Sequence, residues 1–66
     1  MKLISERLKF LRKEKNLTQT ELGEKVGIKR NTYSDWENGK TEPSFDNLVK
    51  LADFFNVSLD WLFGRE

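Results

Sequence analysis

Between Thr18 and Asn38 the sequence leaves room for two short helices and almost nothing between them. Thr18-Gln19-Thr20-Glu21 has the form of a capping box: the Thr18 hydroxyl is placed to accept from the Glu21 amide, and the Glu21 carboxylate can reach back. Leu17 and Leu22 flank the box at staple positions. The helix that starts here carries Leu22 and Val26 one turn apart and runs to Gly27, which adopts the left-handed conformation without steric cost. A second helix is predicted from about Arg30 to Asn38, ended by Gly39. Gly23 keeps the first of the two small where the second is expected to pass over it. Tyr33 and Trp36 are placed to pack back onto Leu22 and Val26. The pattern predicts two helices crossing steeply at a tight turn.

Three more helices surround this pair. Ile4, Leu8 and Leu11 share one face of a helix from about Ile4 to Lys15, with Leu3 and Phe10 on a second apolar line. Thr41-Glu42-Pro43 is a loop, because proline pushes the residue before it toward extended geometry. Ser44 then caps a helix carrying Phe45, Leu48, Leu51, Ala52 and Phe55 inward, with Asp46 suiting its positive end. Ser58 caps a short fifth helix through Phe63, with Leu59, Leu62 and Phe63 on one side and Gly64 closing it. No period-2 run is long enough for a strand. The expectation is one all-α, compact five-helix domain spanning residues 1–66.

Composition removes whole classes of function. The 66 residues contain neither Cys nor His. There is no thiolate metal site, no disulfide and no imidazole to activate a nucleophile, so an enzyme is not expected and no cofactor or metal is implied. No apolar run approaches the roughly 20 residues of a membrane helix, and the polar opening Met1-Lys2-Leu3-Ile4-Ser5-Glu6-Arg7 lacks a secretory core, which predicts a cytoplasmic protein.

The third helix carries the chemistry. Stepping roughly 100° per residue from Tyr33 places Thr32 and Trp36 on its half of the helix. Asn31, Ser34, Asp35 and Asn38 fall on the opposite half, with Arg30 at its edge. Most polar helix faces are only solvated. A helix in the major groove of DNA also needs such a face: Arg30 suits guanine O6 and N7, Asn31 suits adenine N6 and N7, Asp35 can accept from cytosine N4, and Ser34 is permissive. The preceding turn aims this half away from the remainder of the domain.

The stretch Leu17-Thr18-Gln19-Thr20-Glu21-Leu22-Gly23, then Val26-Gly27-Ile28, then Trp36-Glu37-Asn38-Gly39-Lys40-Thr41-Glu42-Pro43-Ser44, resembles the lambda-repressor-like (Cro/CI-type, XRE) helix-turn-helix family. The ending Val57-Ser58-Leu59-Asp60-Trp61-Leu62-Phe63-Gly64 looks like that family's fifth helix. The resemblance implies a helix-turn-helix made by helices 2 and 3, base reading by Arg30, Asn31 and Asp35, with Ser34 a permissive reader beside them, and phosphate contacts from Gln19, Asn38 and Lys40; Arg12, Thr18 and Lys29 are further candidates for phosphate contact. It also implies an ion pair between Arg12 and Glu37, whose carboxylate falls beside Tyr33 on the wheel and needs a partner. Lys29 departs from the pattern, standing where Ser or Thr would cap the third helix, and Lys cannot accept the helix amides. Phe10 departs too, and is expected to pack with Leu3 against Trp61 or Phe63.

The expected function is sequence-specific binding of double-stranded DNA by a transcriptional regulator, acting as a repressor. It would act as a homodimer on a palindromic operator, paired through Trp61, Leu62 and Phe63. The rival expectation is a protein-interaction module on the same fold, an antitoxin-like or anti-repressor partner. The net charge of +1 conceals an asymmetry. Residues 1–40 carry ten basic against six acidic side chains, a net +4, while residues 41–66 carry two against five, a net −3. The basic excess lies on the part that holds the two crossing helices.

Overall fold

The computed structural model describes residues 2–65. Five helices follow one another: α1 (Lys2–Glu14), α2 (Gln19–Val26), α3 (Arg30–Glu37), α4 (Phe45–Phe55) and α5 (Leu59–Phe63). Among the described residues there is no strand, and no helix is long and apolar enough to cross a membrane.

Local chemistry starts and stops these elements. The capping box at Thr18 is closed in both directions: Glu21 N donates to Thr18 Oγ1 over 3.1 Å, and Thr18 N donates to Glu21 Oε1 over 2.9 Å. Ser44 and Ser58 accept from Asn47 N and Trp61 N in the same way. Lys29 stands at the start of α3 with extended backbone and no side-chain cap. α1 ends in a manner its sequence did not announce. Asn16 adopts φ 57°, which lets Leu17 N donate to Arg12 O (3.2 Å) and Asn16 N to Lys13 O (3.0 Å). This is the paired closing bond of a helix stop, and Asn is the residue after glycine that tolerates it best.

The core gathers one face from every helix: Ile4 and Leu8, Leu22 and Val26, Tyr33 and Trp36, then Leu48, Leu51, Ala52, Phe55 and Leu62. Burying each such large side chain contributes about 1.5–3 kcal/mol. Leu11, Leu17, Ile28, Leu59 and Trp61 pack against this cluster from its margin.

Four expectations need correction. Phe45 shares the inward register of α4 but is 65% exposed, because it stands in the first turn, where periodicity sets the direction and no neighbouring element covers it. Thr32, on Tyr33's half of α3, is exposed. Gly23 is required by the turn rather than by the body of α3: a Cβ there would lie 2.4 Å from the carbonyl oxygen of Ile28. Leu62 is fully buried in the core and cannot line a surface between subunits.

Candidate nucleic-acid interface

A buried polar bracket holds α3. Glu37 at its C-terminal end is taken by Arg12 of α1, with Nε to Oε2 at 2.7 Å and Nη2 to Oε1 at 3.1 Å. The third guanidinium nitrogen, Nη1, donates to the carbonyl of Leu17 at 2.7 Å. Gln19 Nε2, at the start of α2, donates to Glu37 Oε1 at 3.2 Å. One carboxylate therefore ties α1, α2 and α3 together. The side chains of the pair are 12% and 2% exposed, so the interaction is shielded from solvent and salt. Burial pushes the Glu37 carboxyl upward, but the hydrogen bonds from Arg12 and Gln19, with the Tyr33 hydroxyl close by, outweigh it and hold the group below its ordinary value. Burial is also the main reason the Tyr33 phenol is pushed up, with the adjacent Glu37 adding to it.

Two further bonds fix α3 from α1. Ser5 Oγ donates to Trp36 O at 2.6 Å, and Tyr33 OH donates to Leu8 O at 3.4 Å. Among the described residues no buried side-chain polar atom lacks a partner. Gly27, at φ 73°, turns the chain between α2 and α3, and Ile28 N donates to Gly23 O at 2.8 Å across that turn.

The opposite half of α3 is polar and accessible. Arg30 and Asn31 are exposed, while Ser34 and Asp35 are half-buried along the same face. Arg30 Nη1 donates to Asn31 Oδ1 at 3.3 Å, and Asn38 Nδ2 donates to Ser34 Oγ at 3.4 Å. These are weak surface bonds that a ligand can replace. Thr18, Lys29, Asn38 and Lys40 are exposed around this ridge, and Gln19 is half-buried beside it. Arg12 differs: its guanidinium is turned inward, onto Glu37 and Leu17 O. The double demand placed on Arg12, an ion pair and a phosphate contact, is resolved by this geometry in favour of the ion pair. Its bond to Leu17 O went unread in the sequence, because a backbone acceptor leaves no residue signature.

At the far end of the molecule, Trp61 packs against α1. Its ring centroid lies 6.4 Å from that of Phe10, and the Arg7 guanidinium carbon sits 4.4 Å from the Trp61 ring centroid. Arg7 also donates to the Trp61 carbonyl. Leu3 abuts Gly64, and Phe63 remains exposed.

Comparison with known proteins agrees with this arrangement. A helix-turn-helix family model matches residues 8–62. The chain is 42% identical over 62 residues to the cryptic phage CTXphi transcriptional repressor RstR of Vibrio cholerae, covering 94% of this chain and 55% of that protein. It is 40% identical over 62 residues to the transcriptional activator BcrR of Enterococcus faecalis, covering 94% of this chain and 30% of that one. The chain thus spans about half or less of the length of these curated relatives. The P22 c2 repressor, solved in complex with synthetic operator 9T, superimposes with a TM-score of 0.88 at 33% identity, with all of both chains covered. The chain belongs to the lambda-repressor-like helix-turn-helix family of transcriptional regulators.

Proposed function

We propose that this chain binds double-stranded DNA with α3 in the major groove and represses transcription by occupying its site. The observation that carries the proposal is the two-sidedness of α3. One half is fixed by Tyr33, Trp36 and Glu37, and the other presents Arg30, Asn31, Ser34 and Asp35 on an accessible face. Recognition in the groove needs both properties, because a reading side chain discriminates only when its helix is held in register. Arg30 and Asn31 read guanine and adenine edges, Asp35 favours a cytosine amine, and Ser34 accepts either partner. Thr18, Gln19, Lys29, Asn38 and Lys40 contact phosphates and set the register. The relative solved on its operator supports this choice of partner.

Operator binding is as a homodimer on a palindrome. Two half-sites about 34 Å apart then lie on one side of the duplex. With Leu62 buried, Phe63 and the accessible edge of Trp61 are the α5 residues left to meet the second subunit on DNA.

Selection of binding sites from random duplexes tests the proposal. The parent chain is expected to enrich one short palindromic motif. The double substitution Arg30→Ala, Asn31→Ala is expected to lower affinity for that motif about 10- to 100-fold while keeping low-salt binding to arbitrary duplex. A parent chain that binds no duplex at low salt defeats the proposal. Equal preference in parent and variant defeats the assignment of the reading residues.

A further inference from the structure

The chain has five asparagines, and the residues that follow them set one apart. Asn16, Asn31, Asn47 and Asn56 precede Leu17, Thr32, Leu48 and Val57, whose branched side chains crowd their own backbone nitrogens. Asn38 alone precedes a glycine. An asparagine amide can close a ring onto the nitrogen of the next residue, and the reaction is fast only where that nitrogen is uncrowded and free to approach. The local structure leaves this pair accessible. Asn38 is the exposed C-cap of α3, at φ −86° and ψ −3°, and Gly39 and Lys40 after it are exposed as well. Asn38 Nδ2 donates to Ser34 Oγ at 3.4 Å and Gly39 N to Trp36 O at 3.3 Å, both longer than the usual range. Lys40 N donates to Asp35 O at 2.9 Å and holds the turn. Leu48 N and Val57 N are tied more closely, to Ser44 O at 2.9 Å and Ala52 O at 3.0 Å. Gly39 stands at φ 73°, and with no Cβ it reaches other backbone conformations at little cost.

We propose that the Asn38-Gly39 pair is a site of spontaneous deamidation, and that conversion there weakens DNA binding. The second half rests on the proposed placement of Asn38 at the duplex. Fraying of the last turn of α3 lets ψ of Asn38 rotate until the Gly39 nitrogen stands behind Cγ. Hydroxide from solvent takes the Gly39 amide proton, and the nitrogen attacks Cγ. The Cγ–Nδ2 bond breaks, and ammonia leaves with a proton from water, which returns the hydroxide. The product is a cyclic imide joining Cγ to Gly39 N. A second water opens the ring at either carbonyl, with no change of oxidation state. Opening at Cγ gives aspartate. Opening at the main-chain carbonyl gives isoaspartate, in which the chain runs through Cγ. Either product sets a carboxylate where the amide is proposed to meet a phosphate, and the two anions repel. Isoaspartate also adds a methylene to the main chain ahead of Lys40, which shifts that charge relative to α3. The duplex in turn guards the site, because ring closure needs the frayed turn and a phosphate contact favours the closed one.

Ageing of the 66-residue chain in mildly alkaline buffer without DNA, followed by mass spectrometry of its peptides, tests the chemistry. Conversion is expected at Asn38, with aspartate and isoaspartate both formed and a rate that rises with hydroxide. It is expected to run at least about tenfold faster than at the other four asparagines. Ion exchange separates the converted chain, whose affinity for a selected operator is expected to fall about tenfold or more with its helical circular dichroism unchanged. Asn38→Asp is expected to reproduce that loss. Asn38→Gln is expected to keep, on ageing, whatever affinity it starts with. Operator at about a hundred times Kd leaves about one chain in a hundred free, so it is expected to slow conversion at least about tenfold. No conversion at Asn38, or conversion spread evenly over the asparagines, overturns the proposal. A converted chain that binds the operator as the fresh chain does overturns its second half, as does conversion at equal rates with and without operator. Conversion is read without duplex, so its failure is distinct from failure of the DNA reading, which a fresh parent that binds no duplex would show.

Discussion

Glu37 shows what a single residue can carry in a domain this small. Its carboxylate accepts from Arg12 and Gln19 and sits among three helices. Glu37→Ala leaves the Arg12 charge partly buried without its partner, at a cost of about 3 kcal/mol. For a chain of this length that lowers the thermal midpoint by more than about 10 °C, measured by circular dichroism. The same residue gives the protein a pH dependence. Because the folded carboxyl titrates below its ordinary 4.5, its contribution is complete above that pH and is lost as the pH falls through the lower folded value. Glu37→Gln is therefore expected to be less stable than the parent at pH 7, with the gap closing below pH 4.5. A gap that stays constant down to pH 2 contradicts this origin (roughly 2 pH units below the usual carboxylate value). The inward direction of Glu37 was legible from the helical wheel alone. Its partner was legible only through the family resemblance, since spacing within one helix does not tell which residue of another helix will face it. Phe45 and Leu62 mark the same boundary from the other side. Periodicity gave their direction and left open what lay across from them.

At the level of the element, helix starts at hydroxyl caps and stops at Gly27 and Gly64 were legible, and the stops at Asn were less so. Thr18, Ser44 and Ser58 are side chains with a specific bond to make, and each makes it. Thr18→Ala is expected to cost about 1 kcal/mol, and urea denaturation measures it. The stops at Asn16 and Asn56 rest on positive φ at a residue that also occurs in ordinary loops, so the sequence signal is weaker there. The turn between α2 and α3 imposes a stricter requirement. A side chain at position 23 meets the Ile28 carbonyl, which is backbone and part of the turn. Gly23→Val is expected to destabilise by more than about 2 kcal/mol, and to weaken DNA binding at temperatures where the chain is still folded, because the clash is relieved by moving α3. A variant with parental stability would show that the turn yields without cost.

On the scale of the whole molecule, charge is shared unevenly along the chain. The basic excess of residues 1–40 falls on residues 1–15 and so on α1, residues 16–40 with α2 and α3 balance four basic against four acidic side chains, and the part that holds α4 and α5 is acidic. The helices proposed to meet the duplex therefore contribute individual cations rather than a net positive field. Of the five proposed phosphate contacts only Lys29 and Lys40 are cationic, so few counterions are displaced per subunit. The log–log slope of affinity against salt is expected to be about −2 per subunit and about −4 for a bound dimer. A slope near −10 would require a much larger cationic footprint than α2, α3 and their loops present. The central claim concerns which face meets the duplex, and amide chemical-shift mapping of the labelled chain on a selected operator tests it most directly. The largest changes are expected at Thr18 and Gln19 and from Lys29 through Lys40, with the amides of α4 nearly unmoved. Changes concentrated on α1 and α5, with α3 silent, would contradict it.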